Sequence, residues 1–123
     1  MTVDPTEAGS EPDMEPDGWI PVVSADELPE GKPVRVSAGE SDVLLYLKGE
    51  QIWAIGDRCT HQGAQLHRGR VRGPETQPVV TCPIHGSMFR LADGRVMRGP
   101  AASAVPSFET RLNGDMVEIR PRG

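Results

Sequence analysis

Two short pairs of residues, Cys59-Thr60-His61 and Cys82-Pro83-Ile84-His85, constrain this chain more than any other feature in it. Twenty residues separate His61 from Cys82, so any fold that uses the pairs together has to turn back on itself between them. Both cysteines of the 123-residue chain are spent here, each two or three positions before a histidine. That placement reads as metal ligation before it reads as a structural disulfide. Two thiols and two imidazoles form a four-ligand set that suits either a zinc ion or a mixed-ligand iron–sulfur cluster. Gly63 lies two positions after His61 and Gly86 directly follows His85, so each loop has a residue that lets backbone approach a bulky inorganic group. Pro83 stiffens the second loop.

The length fits one domain with one core. With 14 Gly and 12 Pro, the chain favours a turn-rich β fold over a helical bundle. Met1 to Asp17 holds six acids, no bases, three prolines and little that is apolar, a composition that cannot offset the entropy of ordering it. Residues 1–17 are therefore expected to be a disordered acidic tail and residues 18–123 the folded domain. Strands are expected over Trp19–Val23 and Pro33–Ser37, with Ser24 capping one short helical turn between them. Val43–Lys48 and Gln51–Ile55 flank Gly49-Glu50 as a tight hairpin, and Ser107–Leu112 and Asp115–Arg120 flank Asn113-Gly114 as another. Val79-Val80, Met88–Leu91 and Arg95–Met97 are short strand candidates, with Asp93-Gly94 as a turn. The expected fold class is all-β: an antiparallel domain whose two long connections carry the Cys and His residues. Trp19 and Trp53 fall in apolar strand patterns and read as core. His67, the one remaining histidine, reads as an exposed loop residue.

The net charge of −5 conceals an asymmetry. Residues 1 to 57 hold 13 acids and 3 bases, whereas residues 58 to 123 hold 5 acids and 10 bases, all of them arginine. The ligand-bearing half is locally basic, and Arg58, Arg68 or Arg98 could steer an acidic protein partner. No stretch approaches the roughly 20 apolar residues that cross a bilayer, and the acidic N-terminus is unlike a signal peptide. A cytoplasmic protein with neither a membrane nor a nucleic-acid partner is expected.

With its flanking residues, Cys59-Thr60-His61-Gln62-Gly63-Ala64 and Cys82-Pro83-Ile84-His85-Gly86, the constellation resembles the Rieske family. The resemblance extends over roughly residues 19 to 120 and includes Gly99-Pro100-Ala101, which looks like that family's proline loop. It implies a Rieske-like antiparallel β domain with two cluster-binding loops and one [2Fe–2S] cluster per chain. Cys59 and Cys82 would bind the inner iron as thiolates, and His61 and His85 the outer iron at an exposed tip. A zinc site would favour pairs of other spacing. Neutral imidazole in place of thiolate makes an added electron easier to accept, and Rieske potentials run about −150 to +300 mV against about −400 mV for plant-type ferredoxins. High-potential family members carry an extra cysteine in each loop, and this chain has none, which resembles the ferredoxins of oxygenase systems in a reducing compartment. Ser87 stands where such members have a hydroxyl donor to cluster sulfur, but Phe89 stands where they have a tyrosine, so a low to intermediate potential is expected. Gln65 occupies a place where proline is common.

A terminal oxygenase of this family needs a second iron site of two His and one carboxylate. With His61 and His85 committed, only His67 remains, so no catalytic residue is assigned. The resemblance implies a soluble one-electron carrier between a flavin-containing reductase and a terminal oxygenase of the aromatic-ring-hydroxylating type. The alternative is a Rieske-like small subunit of a larger oxidoreductase such as nitrite reductase.

Overall fold

The computed structural model describes residues 18–61, 63–74 and 76–122. The expected acidic tail, residues 1–17, lies outside the described residues. Among the described residues, ten strands form two antiparallel sheets. The larger sheet is built from β1 (Ile20–Ser24), β2 (Val34–Ala38), β3 (Ser41–Lys48), β4 (Gln51–Gly56), β9 (Ser107–Asn113) and β10 (Met116–Pro121). Its spatial order is β1-β10-β9-β4-β3-β2. The smaller sheet runs in sequence order through β5 (Arg70–Arg72), β6 (Val79–Thr81), β7 (Met88–Arg90) and β8 (Val96–Arg98). It is inserted between β4 and β9, whose pairing at Ala54–Phe108 and Ile55–Ser107 closes the larger sheet behind it.

Strand β3 shows why its sequence is a continuous apolar run. Successive side chains of a strand point to opposite faces, and both faces of β3 are covered. Leu44 and Tyr46 join one core with Ile55, Leu66, Val80, Phe89 and Leu91, beneath the small sheet. Val43 and Leu45 join a second core with Leu28, Ala54, Val117 and Ile119. The first core includes Cys59 and Cys82, so the metal-ligand candidates are anchored in the same packing that joins the two sheets.

The expected hairpin at Gly49-Glu50 is present, with Lys48 opposite Gln51. Ser24 caps a 3-10 turn over Ala25–Glu27, its Oγ accepting the Asp26 N–H. Two expectations need correction. Asn113 pairs with Met116, so the last hairpin turns on Gly114-Asp115 and not on Asn113-Gly114. Asn113 stays in the strand, where its side-chain amide donates to Glu118 Oε2. Strand β5 was not anticipated, because Arg-Val-Arg offers only one apolar residue; its pairing with β6 and the burial of Val71 against the core hold it in place. Trp53 packs on that core beside Tyr46. Trp19 is buried as expected, but beneath the guanidinium groups of Arg111 and Arg120, 4.4 and 4.5 Å from its ring centroid.

Candidate metal centre

The two Cys/His pairs occupy equivalent connections. The first follows β4 and precedes β5; the second joins β6 to β7. Backbone hydrogen bonds fold each into the same shape. The Cys59 N–H donates to the Ala64 carbonyl and the Gly63 N–H returns to the Cys59 carbonyl, at 2.8 and 2.7 Å. In the second loop the Cys82 N–H donates to Ser87 and the Gly86 N–H returns to Cys82, at 2.7 and 3.2 Å. Each cysteine thus closes a five-residue loop through its own peptide groups. Gly63 and Gly86 hold matching positions in them, with φ of +76° and +81°, values that a side chain disfavours. The residue after His61 in the first loop is Gln62, which lies outside the described residues.

Cys59 and Cys82 form no disulfide and are buried, each 3% exposed. His61 and His85 are exposed, and their rings meet edge to face with centroids 5.0 Å apart. The two imidazoles are therefore in contact and exposed while the two cysteines share one buried core, and among the described residues no three Cys, His, Asp or Glu side chains converge on a single ion. Such a set can hold a group with one buried and one solvent-facing end.

A third segment ties the two loops together. Thr60 Oγ1 donates to the Ser103 carbonyl at 2.5 Å, and the Ala101 N–H donates to Ser87 Oγ at 2.9 Å. Gly99–Pro100, the expected proline loop, leads into this segment through a cis peptide bond. Ser87 is fully buried. Its oxygen is occupied as an acceptor, and among the described residues its hydroxyl proton has no acceptor, so it remains available to a buried sulfur-bearing group. The chemistry of the donor set and this hydroxyl both fit an iron–sulfur cluster.

The base of the first loop is held by two residues that the sequence did not single out together. Asp57 is fully buried; its Oδ1 accepts the His67 N–H and its Oδ2 meets His67 Nδ1, both at 2.7 Å. His67 is thus half-buried and bound to a carboxylate, not an exposed loop residue. Their ten-residue separation hides the pair in the sequence. Gly69 was missed for a similar reason: a Cβ there would lie 1.8 Å from the Thr81 carbonyl oxygen. This close approach sets the end of the first loop against the residue preceding Cys82.

The model of the Rieske [2Fe–2S] domain matches residues 18–109. The chain is 29% identical over 101 residues to the ferredoxin component of a naphthalene 1,2-dioxygenase system from Pseudomonas aeruginosa, covering 82% of this chain and 93% of that one. Among solved structures it resembles the ferredoxin fold seen in a complex of reduced oxygenase and oxidized ferredoxin in carbazole 1,9a-dioxygenase. That match has a TM-score of 0.72 and 29% identity, over 83% of this chain and 92% of the other. It also resembles a Mycobacterium tuberculosis protein assigned as the small subunit of an NADH-dependent nitrite reductase, with a TM-score of 0.72 and 27% identity over 85% and 95% of the two chains. The matched span includes both Cys/His loops and most of both sheets, and the chain belongs to the Rieske [2Fe–2S] domain family, whose cofactor is a [2Fe–2S] cluster.

Proposed function

We propose that Cys59 and Cys82 bind one iron as thiolates, that His61 and His85 bind the other, and that the chain is a mobile carrier of single electrons. The observation that carries this reading is the polarity of the site, with buried thiols at one end and two exposed imidazoles in ring contact at the other. The bound cluster supplies reversible one-electron chemistry. The protein's own residues do the rest. The two equivalent loops fix the cysteines in the core, Ser87 offers a hydroxyl donor, and His61 and His85 form the exposed tip across which an electron leaves or arrives. The third histidine is held by Asp57, so the chain has no spare pair of imidazoles for a catalytic iron. It is an electron-transfer component without a substrate site of its own.

The likeness to dioxygenase ferredoxin components supports a place between a flavin-containing reductase and a terminal oxygenase of the ring-hydroxylating type. Two buried cysteines that form no disulfide suit a reducing, cytoplasmic compartment, and no helix among the described residues is long and apolar enough to cross a membrane. The likeness to a nitrite reductase small subunit supports a second reading, a fixed subunit of a larger oxidoreductase. The test is the visible spectrum and the EPR signal after dithionite reduction, with gel filtration of a native extract. A Rieske spectrum on a freely migrating chain is expected. A colourless, EPR-silent protein with stoichiometric zinc would overturn the reading, and co-migration with a large oxidoreductase would favour the fixed subunit.

A further inference from the structure

The small sheet has two unlike faces. Register aligns Val71, Val80, Phe89 and Val96 across its four strands, and this row is packed into the core beside the cysteines. The adjacent row is Arg70, Thr81, Met88 and Arg98; strand alternation turns the first three outward, and Arg98, two residues from Val96, joins them at the irregularity in the β7–β8 register and is exposed. With Arg68 and Arg72 the row lines a hollow of about 690 Å³ that reaches Cys82 and His85 but not His61. Among the described residues no acid lines this hollow. All four arginines are exposed, and none forms an ion pair with an acid among the described residues. A second hollow shares Arg68 and Gly69 with the first and adds Lys32 and Arg35, the latter paired with Asp42, carrying the surface toward β2.

Four guanidinium groups crowded on one face of a chain with net charge −5 repel one another. A partner presenting carboxylates relieves that repulsion, and the planar fork of arginine matches carboxylate geometry. Ile84, directly before His85, is 59% exposed, an apolar side chain beside the histidine of the kind that the centre of a protein–protein interface covers. The position beside a metal-ligand histidine favours a redox protein over a nucleic acid as the occupant.

We propose that this arginine face is the docking surface for an acidic face of the electron-transfer partner, which it seats against His85 in preference to His61. The proposal rests on reading the chain as an electron carrier. It also separates the ten arginines of the basic half into classes: Arg70, Arg72, Arg98 and Arg68 form the surface, whereas Arg58 does not line it.

The test is stopped-flow oxidation of the full-length, dithionite-reduced protein by the trianion ferricyanide and by the trication hexaammineruthenium(III), at increasing ionic strength. Despite the negative net charge, oxidation by ferricyanide should slow by about threefold or more as salt screens the local attraction, while oxidation by the trication should not slow. The paired variant Arg70→Glu/Arg98→Glu should abolish the ferricyanide dependence, Arg70→Gln/Arg98→Gln should weaken it, and Arg122→Glu, outside this hollow, should preserve it. A decaglutamate peptide should compete with ferricyanide for the wild-type protein and not for the Glu variant. A ferricyanide rate that rises with salt, or a salt dependence unchanged in both paired variants, would overturn the proposal. So would ferricyanide attraction without peptide competition, which would mark a site for small anions only. Competition that emerges only after the six acids of residues 1–17 are neutralised would assign the face to the chain's own acidic segment and overturn docking of a partner. Absence of a Rieske spectrum in the wild-type protein would instead remove the electron-carrier reading, so the two failures are distinct.

Discussion

The ring of His67 lies against the buried carboxylate of Asp57, Nδ1 to Oδ2 at 2.7 Å, while the second carboxylate oxygen accepts the His67 backbone N–H. The Asp57 carbonyl also accepts the Leu66 N–H, and its own N–H donates to the Asp42 carbonyl on β3. One residue thereby clamps both ends of the first Cys/His loop to the larger sheet.

Removing that clamp leaves a backbone N–H and the nitrogen of a half-buried ring without their acceptor. Unsatisfied buried groups cost about 1–3 kcal/mol each, so Asp57→Ala should destabilise the protein by about 2–4 kcal/mol. Asp57→Asn retains an acceptor for the N–H and should cost less. Thermal unfolding followed by circular dichroism ranks the two, and the visible absorbance should be lost from Asp57→Ala at a lower temperature than from Asp57→Asn. Equal behaviour of the two variants would show that the acceptor has no part in holding the loop.

The contact of Gly69 with Thr81 gives a second stability prediction. A methyl group at residue 69 would overlap the Thr81 carbonyl and press on the Leu66 carbonyl 3.2 Å away. Both are backbone atoms and cannot swing aside. Overpacking of this kind costs about 1–3 kcal/mol, occasionally more, so Gly69→Ala should lower the melting temperature and reduce cluster occupancy per chain, measured as iron by elemental analysis. Gly63→Ala offers a contrast, because a Cβ at residue 63 meets no protein atom within 4 Å, and its cost to the protein's own packing comes from the positive φ.

These two positions also mark where the sequence stopped being readable. The ligand loops were legible because their chemistry is local: Cys59 and Cys82 each close a loop with residues four and five positions on, and such spacing is printed in the chain. The hairpin at Gly49-Glu50 was legible for the same reason. Asp57 with His67, Gly69 with Thr81 and Ser87 with Ala101 are contacts made by tertiary closure, and the individual residue types announce none of them. Strand β5 belongs with these, since Arg70 and Arg72 read as a solvated segment until β6 supplies their hydrogen-bond partners. The basic half of the sequence was visible as a charge count, but only register reveals that Arg70 and Arg98 share a face.

The turn between β7 and β8 carries an acid-sensitive clamp. Arg90 donates from Nε and Nη2 to the two oxygens of Asp93, whose Oδ1 also accepts the Arg95 N–H. The hydrogen bond from Arg90 is the main cause that holds the Asp93 carboxyl down at about 2. A carboxylate with a depressed folded-state pKa contributes stability above its unfolded value, near 4, and loses it as pH falls toward 2. The difference in melting temperature between the parent and Asp93→Asn should therefore be constant above about pH 5 and shrink progressively below about pH 4. A difference that grows on acidification would contradict the assignment. The pair is solvent-exposed, so the whole effect should be modest and weaker in high salt.

The last prediction concerns the energy of the electron. Ser87 Oγ accepts the Ala101 N–H at 2.9 Å and is sealed from solvent, and among the described residues no protein group accepts its hydroxyl proton. A donor aimed at cluster sulfur stabilises the more negative, reduced state and raises the potential. A hydrogen bond worth about 1 kcal/mol corresponds to roughly 40 mV for one electron. Ser87→Ala should lower the midpoint potential by about that amount, measured by EPR-monitored redox titration, while Ser87→Thr should preserve most of it. Phe89 is fully buried in the core and offers no hydroxyl of its own. The parent should accordingly lie in the lower part of the family's range of about −150 to +300 mV. An unchanged potential in Ser87→Ala would show that the hydroxyl is directed elsewhere, and that its part at the site is confined to receiving the Ala101 N–H and joining the second loop to the proline segment.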